Sequence, residues 1–541
     1  MKDPYLTAHS DFLWEIPKEF NFGTDVVDQW ATDPERLALI WCNEHGAEER
    51  FTFKAISQLS NRLANVFQNQ GIGRGDRVIV MLPRIPAWQI TMVALAKIGA
   101  VSVPCVPMLT KKDLAFRIAN AGVTGVVTTV DNLEKFESVE YLNCQLSVGG
   151  NVGSWIDFDL AIESTNENYQ TVQVAAEDPT IIYYTSGSTG HPKGVTHSSR
   201  ALYSWRVSAK YWLSLEPDDL MFCTSDTGWS KAGTSILFGP WSQGSAVLFY
   251  EGPFDPEKRL DLIEKYEVTV FCTAATELRQ LISLDFSKRD VSKLRLTVSA
   301  GESVNPEIYH RWKELTSNSL LEAYGLTETL MLIANYQGTL VKPGSMGRPL
   351  PGTEIAVLTE KNALAGINEV GQLGLALPNP QVMIGYWQDP QKTRNAIRSV
   401  DGVEYFLTGD NARQDEDGYF FYEGRADDVI NSAGYRIGPQ EVENALMEHP
   451  AVKEAAVVPS PDAERGEVVK AFIVLHNDAE ASTELVKHIQ NFSKQITAPY
   501  KYPRKIEFVE NLPKSVTGKI QRRVLKSREF EKPNNSQKTK N

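Results

Sequence analysis

The stretch YYTSGSTGHPKGV, residues 183–195, sets hydroxylated residues and glycines, a proline and one lysine directly after an apolar run. Ile181 to Tyr184 reads as a buried strand. The Thr185–Gly190 stretch that follows can converge its backbone N–H groups on an anion, and Lys193 adds a mobile positive charge. Phosphate is the expected guest. The spacing from Gly187 to Lys193 also matches a P-loop, but Pro192 stands where that motif needs a glycine and has no N–H to donate. Gly194 stands where it needs a metal-binding Ser or Thr. A P-loop NTPase is disfavoured, and the segment taken alone is more readily a mobile surface loop joining two strands.

Working outward, residues 77–104 run from a β-rich segment (Arg77 to Leu82) through a helical one carrying Trp88, Ile90, Val93 and Leu95 to a second β segment, Val101 to Pro104. The alternation returns near 181–212, 245–282 and 294–324, as the βα units of a layered α/β domain do. After about residue 427 the pattern becomes a helix (440–448), two strands (451–458 and 468–475), a helix (483–496) and a strand (505–510). The expected organisation is a large α/β domain over 1–426 and a small α+β domain over 427–526. Residues 527–541, SREFEKPNNSQKTKN, hold one aromatic and no aliphatic side chain and are expected to fray.

The chain has 541 residues, and 55 Lys and Arg against 68 Asp and Glu give a formal net charge of −13. With no long basic stripe, that sign argues against nucleic acid as a partner. The cysteines at 42, 105, 144, 223 and 272 are scattered and lack CxxC spacing, which suggests core thiols in a reducing compartment rather than a disulfide framework or a zinc site. The N-terminus mixes acidic residues into every candidate leader segment, and the most apolar stretch, 90–108, is broken by Lys97, Gly99 and Pro104. A cytoplasmic protein without an integral membrane span is expected.

Further unusual stretches follow the glycine-rich one: EAYGLTET (322–329), YFLTGD (405–410), YEGRADD (422–428) and LPKSVTGK (512–519). In that order they resemble the adenylate-forming superfamily of acyl-CoA synthetases, peptide-synthetase adenylation domains and luciferases. NSAGYRIGPQEV (431–442), PDAERGEVVK (461–470) and APYKYPR (498–504) look like the medium-chain acyl-CoA synthetase branch. The resemblance covers nearly the whole chain. It implies a multi-subdomain N-terminal α/β domain with a mobile C-terminal domain, and a reaction joining a carboxylic acid to AMP and then to coenzyme A, with ATP, CoA and Mg²⁺ as participants.

By the same resemblance, Thr185, Ser186, Gly187, Ser188, Thr189, Gly190 and Lys193 would cradle the pyrophosphate end of ATP. Glu322, Ala323, Tyr324, Gly325, Leu326 and Thr327 would line the nucleotide site, with Thr327 on the phosphates, Glu328 on Mg²⁺ and Tyr324 against adenine. Asp410 would accept hydrogen bonds from the ribose hydroxyls, with Arg425 beside it. Lys519 would bridge the carboxylate and the α-phosphate during adenylation, and the small domain would then rotate about Asp427 to admit the thiol. Ala433, Gly434 and Tyr435 would line the pantetheine tunnel, Arg465 and Arg504 would meet CoA phosphates, and Trp229, Gly325 and Arg436 belong to the acyl region. Gly325 stands where acetate-specific relatives place a tryptophan, so a longer, branched or aromatic acid is expected to fit.

Three other readings compete: a stand-alone adenylation enzyme loading a carrier-protein thiol, with Asp226 available to an amino group; a luciferase-like oxygenase; and a non-catalytic nucleotide sensor. The match through 431–504 favours free CoA as acceptor. The presence of both Glu328 and Lys519 speaks against the sensor.

Overall fold

The computed structural model describes all residues except 1–3, 138, 140–141, 186–191, 427, 429, 433–434, 463–464, 478, 498–500, 515–519 and 532–541; the side chains of 431, 435, 436, 441 and 531 are also outside the description. The βα alternation read from the sequence is present. Arg77–Met81, Pro86–Ile98 and Val101–Pro104 form one strand–helix–strand unit, and Ala246–Glu251, Pro256–Lys265 and Val270–Thr273 form another. The 181–212 region differs in one respect. Pro179–Thr185 pairs antiparallel with Lys193–Ser198 before the helix Ser199–Tyr211 begins, so the glycine-rich segment joins two strands of a hairpin.

The chain folds into two compact units: residues 1–354 with 376–397, and 355–375 with 398–541. The first holds a nine-stranded and an eight-stranded sheet, both mainly parallel at their centres. One apolar core takes side chains from both, including Val78, Val80, Tyr183, Phe249 and Val298, together with the helices Phe53–Asn69, Pro86–Ile98 and Ser199–Tyr211. Alternate residues of the same strands enter separate outer clusters: Ile79 and Met81 in one, Phe222 and Phe271 in the other. Burial on both faces explains why these strands read as continuous apolar runs. All five cysteines are buried and unpaired. Among the described residues no helix is long and apolar enough to cross a membrane.

The second unit contains a five-stranded sheet that includes the long hairpin Val403–Gln414 and Phe420–Arg425, and a five-stranded α+β sheet built around Val452–Asp462 and Gly466–Leu475. Residues on either side of 426/427 belong to this unit. Its parts pack closely: a methyl at Gly438 would lie 2.4 Å from the Glu423 carbonyl oxygen, so the helix Pro439–Met447 starts hard against the hairpin.

The segment expected to fray also differs. The helix Arg522–Glu531 runs through its first five residues, burying Leu525 completely and placing Glu529 2.7 Å from Lys470. Composition shows few apolar residues there, but it cannot show that a charge finds a partner in a buried site.

Candidate active site

Thr185 ends one strand of the hairpin and Lys193 opens the other, and the two are cross-strand partners. The Thr185 hydroxyl is buried with no hydrogen-bond partner among the described residues. Ser186, Gly187, Ser188, Thr189 and Gly190 lie outside the described residues. The hairpin therefore presents an unsatisfied donor and a lysine at the base of the glycine-rich segment, a pairing suited to an anion.

Lys193 makes an ion pair with Glu328 at 2.7 Å and donates to the Tyr386 hydroxyl at 3.0 Å; that hydroxyl in turn donates to Glu328 Oε1 at 3.0 Å. Burial pushes the Glu328 carboxyl up, but the Lys193 charge and the hydrogen bonds from Lys193 and Tyr386 more than reverse this, holding it below the usual carboxylate range. Glu328 is thus an ionised group in a nearly enclosed position. Tyr386 was not singled out in the sequence. It sits almost two hundred residues from Lys193, and only the antiparallel pairing of Gly385–Tyr386 with the lysine's strand brings it in.

The strand Ser319–Leu326 carries the rest of the motif. Ala323 is buried, Tyr324 is half-buried at the strand's end, and Leu326 begins the turn in which the Thr329 N–H donates to the Leu326 carbonyl. The Thr327 hydroxyl stands 3.3 Å from Ser230 Oγ, and its carbonyl accepts from His197 Nε2 at 2.6 Å. Glu322 is buried on the same strand. Burial raises its carboxyl to about 8, and it accepts the Val304 N–H, bracing the loop after Leu296–Ala300.

Trp229 is the N-cap of the short helix Ser230–Ser235, and the Asp226 carboxylate ahead of it is engaged by the Thr227 N–H at 2.8 Å. A side chain at Gly325 would have no room. A bulge between Tyr324 and Gly325 turns the missing side chain toward Leu330–Ala334, where a methyl would lie 2.0 Å from the Leu330 carbonyl oxygen. Gly325 can line an acyl pocket only through its backbone.

In the second unit Asp410 and Arg425 are register partners across the hairpin, joined at 3.1 Å, with Asp410 buried and Arg425 partly exposed. Arg504 stacks on Tyr502 and donates to its hydroxyl at 3.0 Å, while the Arg465 backbone N–H donates to the Asp462 carboxylate at 3.0 Å. Lys519, Asp427, Ala433 and Gly434 lie outside the described residues, as do the side chains of Tyr435 and Arg436.

The AMP-binding enzyme family model matches residues 26–387, and that of the AMP-binding enzyme C-terminal domain matches 441–519. Human mitochondrial acyl-coenzyme A synthetase ACSM3 is 39% identical over 97% of this chain and 92% of its own. The uncharacterized acyl-CoA ligase YtcI of Bacillus subtilis is 38% identical over 95% and 97%. Among solved structures, the anthranilate CoA ligase AuaEII in complex with anthranoyl-AMP superposes with a TM-score of 0.87 at 28% identity, covering 95% of this chain and 98% of that one.

Proposed function

The chain belongs to the AMP-binding enzymes and is an acyl-CoA synthetase, an AMP-forming acid–CoA ligase, and on that premise we propose how its residues divide the work. A carboxylate resists a thiol because its carbonyl carries negative charge and an oxide would have to leave. Transfer to AMP makes the leaving group a phosphate. The first half-reaction therefore needs cations and hydrogen-bond donors gathered on phosphate and carboxylate oxygens.

The observation that carries the reading is the pairing of the unsatisfied Thr185 hydroxyl with Lys193, which is itself tied to ionised Glu328. The Thr185–Lys193 stretch would hold the β- and γ-phosphates, with the Thr327 hydroxyl beside it. Asp410 would accept from the ribose hydroxyls, held in place by Arg425. The bound acyl adenylate of the anthranilate ligase supports the same intermediate here.

Mg²⁺ is commonly held by one or two carboxylates with substrate phosphates and water, and an ionised, buried Glu328 fits that donor set. No group of three or more His, Cys, Asp or Glu gathers among the described residues, so substrate oxygens would complete the shell. When bound, the ion would neutralise phosphate charge.

Lys519 would stabilise the charge shared by carboxylate and α-phosphate, and rotation about Asp427 would then replace it with Ala433, Gly434 and Tyr435 facing the thiol. Arg465 and Arg504 would take CoA phosphates. The acid would be medium-chain, branched or aromatic; an apolar pocket separates such acids by only about 1–3 kcal/mol per methylene, so a range of substrates is expected. Unpaired cysteines support a reducing, cytoplasmic setting.

ATP–pyrophosphate exchange over a panel of carboxylic acids, followed by CoA and carrier-protein acceptors, tests the assignment. Lys519→Ala should reduce exchange by about 10²-fold or more while leaving thioester formation from supplied acyl adenylate largely intact. Equal loss of both half-reactions would refute the division of labour.

A further inference from the structure

Residues four apart on a strand share a face, so Lys193 and His197 of Lys193–Ser198 point the same way. They take hold of adjacent residues: Lys193 the Glu328 carboxylate, His197 the carbonyl of Thr327. A carbonyl can only accept. The proton at the 2.6 Å contact therefore sits on Nε2, and burial, which lowers the imidazole below its ordinary range, leaves the ring neutral near pH 7 as the Nε2–H tautomer.

The cost of this arrangement falls on the other nitrogen. His197 is 0% exposed, and its Nδ1 is enclosed with no hydrogen-bond partner among the described residues. A side chain that only filled space there would be apolar and would leave no acceptor stranded. The ring's one hydrogen bond goes to the peptide between the Thr327 hydroxyl and the Glu328 carboxylate. The next carbonyl, that of Glu328, accepts the Met383 N–H at 2.8 Å, so consecutive peptides are anchored from different strands and loops.

We infer that His197 is a positioning residue for adenylate formation, its Nε2–H fixing the Thr327 peptide so that the Thr327 hydroxyl and the Glu328 carboxylate meet the triphosphate in one geometry. This rests on the phosphate role proposed above for Thr327 and Glu328. Misplacement of such groups by a fraction of an ångström is felt in the rate more than in overall stability.

His197→Gln and His197→Asn separate the possibilities. The Gln amide nitrogen reaches the place of Nε2, whereas the Asn amide ends near Nδ1 and cannot reach Thr327. In acid-dependent ATP–pyrophosphate exchange, Asn should lower kcat by about 10-fold to 100-fold and Gln should restore most of it. With supplied acyl adenylate, both should keep the wild-type KM for CoA. Equal behaviour of Gln and Asn, or parallel loss of both half-reactions with a lowered Tm, would overturn the inference. So would failure of both variants to fold, since the imidazole would then be a folding requirement. Thr327→Val tests the underlying reading: if it exchanges pyrophosphate like the wild type, the phosphate role falls and the inference with it, whereas an impaired Thr327→Val with wild-type His197→Asn would reject the inference alone.

Discussion

His197 shows how much a single enclosed side chain can bind stability to pH. Burial pushes its imidazole down to about 4 from an ordinary value of 6.5. Between those values the unfolded chain holds a proton that the native chain does not, so stability is complete above about 6.5 and is lost as pH falls toward about 4. Thermal melts from neutral to mildly acidic pH should show a steeper fall in Tm for the wild type than for His197→Gln, which has nothing to titrate. Gly325 makes a complementary case. Because a methyl there meets the backbone of Leu330 and Met331, Gly325→Ala should cost about 1–3 kcal/mol, read as a lowered Tm, rather than simply narrowing the range of acids. The motif containing Gly325 was legible in the sequence, but the direction of its absent side chain was not, since a bulge in the pairing sets it.

Strands and helices were the most readable level. Period-two and helical patterns located the βα units because each must bury a face, and even the small domain's order of helix, two strands, helix and strand is present. What escaped were the contacts that polar side chains make across long separations. The helix Arg522–Glu531 was hidden by its charged composition, yet Arg522 forks onto Glu443 at 2.9 and 2.5 Å, and Glu443 also accepts the Val457 N–H. Removing one partner of a largely buried pair leaves the other uncompensated. Glu443→Ala should therefore destabilise the protein by about 3 kcal/mol, measured by chemical denaturation. Just before this helix the Gln521 N–H donates to the Pro513 carbonyl, and Lys514 bridges Ile520. The described residues on either side of 515–519 are thus tied to each other.

Across the molecule, charge and catalysis pull in opposite directions. A net charge of −13 repels nucleotide phosphates at long range, so local cations must do the attracting. Arg465 and Arg504 are only partly covered, and salt screens exposed charges. Raising ionic strength should therefore increase the KM for CoA more than that for the carboxylic acid, a comparison that steady-state kinetics can make directly. The backbone's route between the two compact units has a practical side as well. It passes from one to the other at 354/355, 375/376 and 397/398, so the later unit is not a simple C-terminal piece. Cutting the gene near 398 would strip the ribbons Ile355–Leu358 and Gly371–Ala376 from their sheet, uncover Leu373 and Leu375, and give a fragment prone to clumping. Engineers who graft this half onto a related ligase should transplant 355–375 along with it.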